Sequence, residues 1–391
     1  MGKFEEILEL INTLQSDFKT EEIELQDAFN RILQEDIYAD ADMPPFHKSA
    51  MDGFACRSED IGNELEVLEV IHAGMLPTKV PGKNQCSKIM TGAPVPAGCD
   101  VVFKVEESEK TGENHVRCTN PGTQKNICYK GEDYKTGDIL IHKGTIINVS
   151  QMAVLAGVGK VKIKVSALPK ISLITTGSEL VEPREKPENG KIRNSNASQL
   201  ISQLQKMNIE VNYIGLVKDD FEILTQLFNK TFETSDYVIF TGGASVGDFD
   251  FIPEILKSQG FNILWDRTGI KPGNPMTFAQ KENKYCFGLS GNPVSSMVQF
   301  EMIVKPVIYK LLGAKYRHFR IKAPLSFDFK QRNADRLILK PVIINENGLI
   351  EAIPFNGSAH INALVFANAL MEIQVGQTEI KKGELAYVRP L

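Results

Sequence analysis

From Pro169 onward the chain alternates short apolar runs with amphipathic stretches for more than a hundred residues, and no other feature restricts its fold so strongly. Ile171-Ser172-Leu173-Ile174 reads as a buried strand that stops at Thr175-Thr176-Gly177. Leu200, Ile201, Leu204 and Met207 then fall at helical spacing, and a strand follows at 209–217. Phe221, Leu224, Leu227 and Phe228 mark a second helix, ahead of a strand at 236–240. Further strands are predicted at 261–265 and 285–289, and a long helix at 294–312. This rhythm predicts a doubly wound α/β sheet, because a parallel pair needs a crossover connection, and such sheets take ligands beyond the carboxyl ends of their strands.

The flanks read differently. Phe4, Ile7, Leu8, Ile11 and Leu14 predict a helix over 3–16, and a second short helix is predicted around 26–33. Between Lys48 and His142, short runs such as Val101-Val102-Phe103 alternate with Gly, Pro, Asn and Asp clusters, the pattern of a β-rich unit. Helical character resumes at 150–158, as if that unit were inserted into the first region. Beyond Lys315, Leu337-Ile338-Leu339 and Pro341-Val342-Ile343-Ile344 predict a small β-barrel. A chain of 391 residues exceeds what one core supports. The expected division is 1–47 with 143–168, an insert at 48–142, the α/β domain at 169–315 and a tail at 316–391.

Three glycine-bearing loops follow predicted strands: Thr176-Gly177-Ser178-Glu179, Gly242-Gly243-Ala244-Ser245-Val246-Gly247 and Gly291-Asn292-Pro293-Val294-Ser295. Glycine lets backbone amides approach a ligand, and a helix start beyond it favours negative charge, so together they predict a phosphate cradle. Acids accompany them: Glu179, Asp219 and Asp220, and Asp248 with Asp250. Carboxylates beside phosphate oxygens are what Mg²⁺ takes. Asp219 and Asp250 also have a plainer reading, Asp219 with Glu222 as a capping box and Asp250 as a helix cap, which Glu179 resists, and Asn292-Pro293 is a cap followed by a first-turn proline. Lys271-Pro272-Gly273 presents one ammonium on a rigid turn, suited to an oxyanion.

Other classes are disfavoured. A net charge of −5 argues against nucleic acid as the main partner, and no segment has the unbroken apolar length of a membrane span. An N-terminus carrying Glu5 and Glu6 lacks a signal-peptide pattern. The six cysteines show no metal or redox spacing and read as reduced thiols of the cytoplasm. No paired-histidine motif or nucleophile elbow is present.

Taken in order, Pro45-Phe46 with Ser49 to Ala55, Ile89 to Pro96, Gly131-Glu132-Asp133, Thr176 to Leu180, Gly242 to Gly247, Lys271 to Gly273 and Gly291 to Ser295 resemble the MoeA family of molybdopterin molybdenumtransferases, relatives of the gephyrin E domain. The resemblance covers essentially the whole chain. It implies an elongated subunit with a MogA-like α/β domain, and a cytoplasmic homodimer whose clefts lie between the α/β domain of one subunit and the β-rich domain of its partner. It further implies Mg²⁺-dependent insertion of molybdate into adenylyl-molybdopterin with release of AMP, and the pathway's adenylyltransferase as a partner. Catalytic positions implied are Asp52, Thr91, Asp133, Glu179, Asp219, Asp220 and Asp250, with Glu179 and Asp250 toward the metal. Substrate contacts are expected from Gly177, Ser178, Gly242, Gly243, Ser245, Gly247, Lys271, Pro272, Gly273, Gly291, Asn292, Pro293 and Ser295, with Arg336 and Ser358 contributed by the tail. Two other functions stay open: adenylylation of the pterin, and a dimeric scaffold without turnover. The chain departs from the family pattern at Ser178, Ser290 and Asn274, where an acid, a proline and a second lysine are usual.

Overall fold

Leu173, Ile239 and Phe287 pack into one core while Ile174, Val238, Phe240 and Cys286 pack into another, so successive residues of neighbouring strands serve opposite faces of one sheet. The structure, a computed structural model, describes residues 3–16, 18–242 and 251–391. The strands of this sheet are β1 (Ile171–Thr176), β2 (Val211–Val217), β3 (Tyr237–Thr241), β4 (Asn262–Arg267), β5 (Pro275–Lys281) and β6 (Lys284–Leu289), in the order β2-β1-β3-β6-β5-β4. The first four are parallel; β5 runs antiparallel to β6, and β4 to β5. The strand β5 lies outside the sequence-based expectation.

Crossovers are made by α1 (Ser195–Gln205), α2 (Phe221–Thr234) and α3 (Ile252–Ser258), and α4 (Pro293–Gln299) follows β6. Leu200 and Leu204 of α1 cover one face, together with Phe4, Ile7 and Ile11 of the helix Lys3–Thr13. Leu224 and Phe228 of α2 cover the other with Ile252, Ile255 and Leu256 of α3. Each fully buried side chain of this size contributes about 1.5–3 kcal/mol against exposure. The predicted helix at 294–312 is present, with a π-helical stretch at Phe300–Val304 before Lys305–Leu311. Pro306 has no N–H to continue the ladder, a cause that suffices for the widened turn.

The chain goes from β1 outward to β2 and then returns past β1 to β3. This reversal makes the carboxyl ends of β1 and β3 the topological switch point, where a crevice opens.

Two compact units are distinguished: Met1–Glu35, Lys143–Met152 and Lys162–Leu391, and Asp36–His142 with Ala153–Val161. In the first, Thr20–Glu24 pairs antiparallel with Lys162–Ser166. The short helix expected at 26–33 is absent: a single 3₁₀ turn spans Leu25–Asp27, Asn30 is left-handed, and Ile32 and Leu33 form bridges to Ile146 and Val165. Pairing to a distant segment overrides local periodicity there. In the tail, Ile350–Ala352, Leu337–Ile344, Ala369–Ile373, Leu385–Pro390 and Ile321–Pro324 form consecutive ladders. These ladders stop short of a closed ring, and one isolated bridge, Leu325 to Ile350, joins their ends around a shared core.

The second unit carries a six-stranded sheet with Gly53–Cys56 between Val101–Lys104 and Gln85–Ile89. Gly53 is obligatory because a Cβ there would lie 2.0 Å from the Phe103 carbonyl oxygen. Asp52 therefore sits at the entrance of a strand packed as closely as backbone permits.

Candidate functional site

The parallel strands β1, β3 and β6 each end in one of the predicted loops, and the strand ends touch. A Cβ on Gly242 would lie 2.0 Å from the Thr176 carbonyl oxygen, and one on Gly291 would lie 3.5 Å from Gly242 Cα. The ends of β1, β3 and β6 thus converge. With φ of +91°, Gly242 also has a backbone that a side chain would strain. Asn196, buried at the start of α1, fastens the convergence: its amide donates to Thr241 Oγ1 at 2.8 Å and to the Gly291 carbonyl at 2.9 Å.

Beyond β1, Ser178 donates its backbone N–H to Asp219 Oδ2 at 3.1 Å, tying the loop after β1 to the loop after β2. The other oxygen, Asp219 Oδ1, is buried without a hydrogen-bond partner among the described residues, as is Thr176 Oγ1 beside Gly242. Asp220, not Asp219, caps α2, its Oδ1 accepting from Ile223 N at 2.9 Å. The capping-box reading of Asp219 with Glu222 is therefore corrected. One residue of displacement leaves Asp219 to hold the loop after β1 instead.

Glu179 is exposed, and its carboxylate lies over Gly177, with Oε2 2.9 Å from where a Cβ would stand. The segment after it is anchored through Glu182, which accepts from Tyr213 Oη at 2.8 Å. Burial first, and then that hydrogen bond, push the Tyr213 phenol up to about 12, so it remains a donor. Gly243, Ser245, Gly247 and Asp250 lie outside the described residues, and with them the proposed cap by Asp250.

After β6, Pro293 opens α4 as expected, but Asn292, at the cap position, makes no side-chain cap bond, contrary to its expected role. Its amide N–H bonds Ser290 Oγ at 3.2 Å instead, and its own side chain is exposed. Ser295 is buried in α4, and its carbonyl oxygen would be 3.3 Å from a Cβ on Gly273. Lys271 is exposed and Pro272 and Gly273 are buried, so the turn shows its ammonium while packing its backbone. Lys271 pairs in parallel with Ile338, which brings Arg336 of the tail to the same turn. Arg336 lines a cavity of about 370 Å³ together with Lys3, Arg267 and Asn274 and the acids Glu5 and Asp335, and its Nε lies 3.4 Å from Asp335 Oδ2. Ser358 is joined to the start of α4 through Val294 N–H, which donates to its carbonyl at 3.0 Å.

In the other unit Asp52 accepts from Thr91 N at 2.6 Å and Thr91 Oγ1 at 2.8 Å. The backbone bond first, and the hydroxyl second, hold this exposed carboxyl below the usual carboxylate range. Asp133 is exposed on a loop tied down by its N–H to the Met43 carbonyl at 3.0 Å. Asn196 and Tyr213 were not among the sequence candidates. Their partners lie tens of residues away, and local spacing carries no trace of them.

Fold and site together define a multidomain protein whose doubly wound domain gathers backbone amides and acids at its switch point and ties a lysine turn to the loop after β6. Residues 3–159 match the MoeA N-terminal region (domain I and II), 172–310 match the "Probable molybdopterin binding domain", and 322–391 match the MoeA C-terminal region (domain IV). The molybdopterin molybdenumtransferase of Staphylococcus epidermidis is 39% identical over 377 residues, covering 94% of this chain and 90% of that protein. That of Staphylococcus aureus is 36% identical over 388 residues, covering 97% and 93%. The crystal structure of the molybdopterin biosynthesis MoeA protein of Pyrococcus horikoshii superposes with a TM-score of 0.80 at 30% identity, covering 99% of both chains. The chain belongs to the MoeA family of molybdopterin molybdenumtransferases.

Proposed function

We propose that this chain transfers molybdenum from molybdate to the dithiolene of an adenylylated molybdopterin, releasing AMP. The carrying observation is the convergence of Gly177, Gly242 and Gly291 at the strand ends, with the Lys271 turn and Ser358 fastened to the loop and helix beyond β6. Both substrates are anions, so their mutual repulsion is a large part of the barrier. Amides and ammonium groups fixed before the reaction offset it without reorganising. In this reading the loops after β1, β3 and β6 hold the nucleotide phosphate. Lys271 and Arg336 hold the oxyanion, and Ser358 orients it from the start of α4. Proximity then supplies much of the rate.

Mg²⁺ fits the donor chemistry of the switch point. Glu179 and Asp219 offer hard oxygen atoms, and Asp219 Oδ1 is a buried acceptor without a partner among the described residues. Mg²⁺ is commonly held by one or two carboxylates and completed by waters and substrate phosphate. When bound, the ion would neutralise charge on phosphate oxygens. Asp219 takes the place of Asp220 among the candidates, because Asp220 is engaged in capping.

We place the protein in the cytoplasm as a homodimer, in which Asp52, Thr91 and Asp133 of one copy serve the α/β domain of the other. All six cysteines are unpaired thiols, which accords with a reducing compartment. Among the described residues no helix is long and apolar enough to cross a membrane. The test is reconstitution with adenylyl-molybdopterin, Mg²⁺ and molybdate. AMP release that requires molybdate is expected; nucleotide transfer from ATP to molybdopterin without molybdate would replace this reading with adenylylation.

A further inference from the structure

Two of the loops assigned to substrate are joined by one side chain. Gln299, the last residue of α4, is completely buried. Its Nε2 donates to the Gly273 carbonyl at 2.9 Å and to the Pro275 carbonyl at 2.6 Å, while its Oε1 accepts from Ser290 N at 2.9 Å. The first two partners belong to the lysine turn and the third to the loop after β6. Thr268 Oγ1 also bonds Gly273 O, at 2.7 Å, and Asn274 Oδ1 accepts from Gly269 N at 3.0 Å, but those bonds stay within the turn and its base. Among the described residues, Gln299 is the side chain whose hydrogen bonds cross between the two.

The chemistry of the position is demanding. It calls for two donor bonds and one acceptor bond from a single neutral planar group, which a carboxamide supplies. The other buried positions of α4 are the apolar Val294 and Val298 and the small hydroxyl residues Ser295 and Ser296, so Gln299 is the one long polar side chain this helix buries. Space is equally constrained, since a Cβ on Gly273 would stand 2.9 Å from Gln299 Cγ. Loss of the carboxamide would leave the Ser290 N–H without its partner and the Gly273 carbonyl with Thr268 Oγ1 alone, and the turn would be free to part from the loop.

We infer that Gln299 is a positioning residue that sets the distance between the oxyanion-holding turn and the nucleotide-holding loop. This rests on the functional reading above. Gln299 touches neither substrate. It acts through Lys271 on one side and through Ser290 to Pro293 on the other, and so fixes where the two anions meet.

Gln299→Glu in the full-length protein tests this. The ionised glutamate can still accept from Ser290 N but cannot donate to either carbonyl, and it sets a negative charge against both; protonation restores one donor. Burial disfavours the ionised form, which brings its titration toward the working range of the assay. The expected result is a kcat/KM for molybdate lowered on the order of 10²-fold at high pH, as a displacement of about 1 Å between reacting groups can produce. At saturating molybdate kcat is lowered as well, because the bound anions meet out of register, and lowering the pH brings both kcat and KM back toward the wild-type values. The wild-type protein shows no such pH step. If Gln299→Glu fails to fold, Gln299→Asn, shorter by one methylene, is expected to lower kcat/KM without the pH step. A folded variant with wild-type kcat/KM across the pH range, or one altered only in melting temperature, overturns the inference while leaving the functional reading intact. A wild-type protein that releases no AMP on addition of molybdate overturns both.

Discussion

At the strand ends of the α/β domain the ligand-facing groups are backbone amides and a turn, pinned by buried side chains such as Asn196 and Gln299. In the β-rich unit the candidate group is an exposed carboxylate, Asp52, whose orientation comes from Thr91 alone among its side-chain partners. The first arrangement cannot be altered without disturbing packing. The second can lose its functional group and keep its fold, so stability and activity should separate in one region and travel together in the other.

The largest effect is expected at Gly242→Ala. A left-handed backbone and a Cβ 2.0 Å from the Thr176 carbonyl should cost roughly 3 kcal/mol or more, and turnover should vanish with it. Denaturant midpoints measured beside the AMP-release assay check this. A variant that is as stable as wild type would break the claim that the strand ends touch.

Asp52→Ala should abolish turnover while leaving the melting temperature unchanged. A matching drop in melting temperature would erase the contrast between the two regions. The pair Asp219→Ala and Asp220→Ala confines the coupling of stability and activity to the strand ends, since Asp220 caps α2 and holds no loop of the site. Asp219→Ala frees Ser178 N and should lower turnover on the order of 10²-fold by displacing the loop. Asp220→Ala should cost about 1 kcal/mol of stability as a lost helix cap and leave turnover near wild type.

A smaller effect is expected on pH dependence. Thr91 keeps Asp52 ionised to lower pH than an ordinary aspartate. In Thr91→Val the carboxyl pKa should rise, and the acid limb of the activity profile should shift to higher pH. An unmoved limb would detach Asp52 from the rate. The smallest effect concerns stability in the tail. Burial first, and then the charge of Arg389, hold His318 at about 4 against an ordinary 6.5, so it is neutral in the fold. The unfolded chain binds a proton there first as pH falls, so this contribution to stability is complete above about 6.5 and is lost progressively toward 4. His318→Leu should flatten that slope in urea midpoints taken across the window.

Legibility in the sequence followed the range of the forces involved. The strands β1, β3 and β6 and helices α1 and α2 were readable because burial on both faces writes itself as continuous apolar runs and helical spacing. The short helix at 26–33 misled because its apolar residues serve pairing with 146 and 165, which no local window contains. The glycine loops were legible as turns that share one cradle, and the particular backbone contacts among Thr176, Gly242 and Gly291 were not, since those depend on strand order. Asp219 and Asp220 exchanged roles because a cap is decided by backbone angles that adjacent identical residues do not reveal. Asp52 and Thr91 read as ordinary turn residues, and only the family resemblance marked them.

The most direct measurement is anomalous diffraction at the molybdenum edge from crystals soaked with molybdate and AMP. A molybdenum peak within reach of Lys271, Arg336 and Ser358, with nucleotide phosphate on the loops after β1, β3 and β6, is the predicted result. Molybdenum bound away from the Lys271 turn in crystals of turnover-competent protein would contradict it.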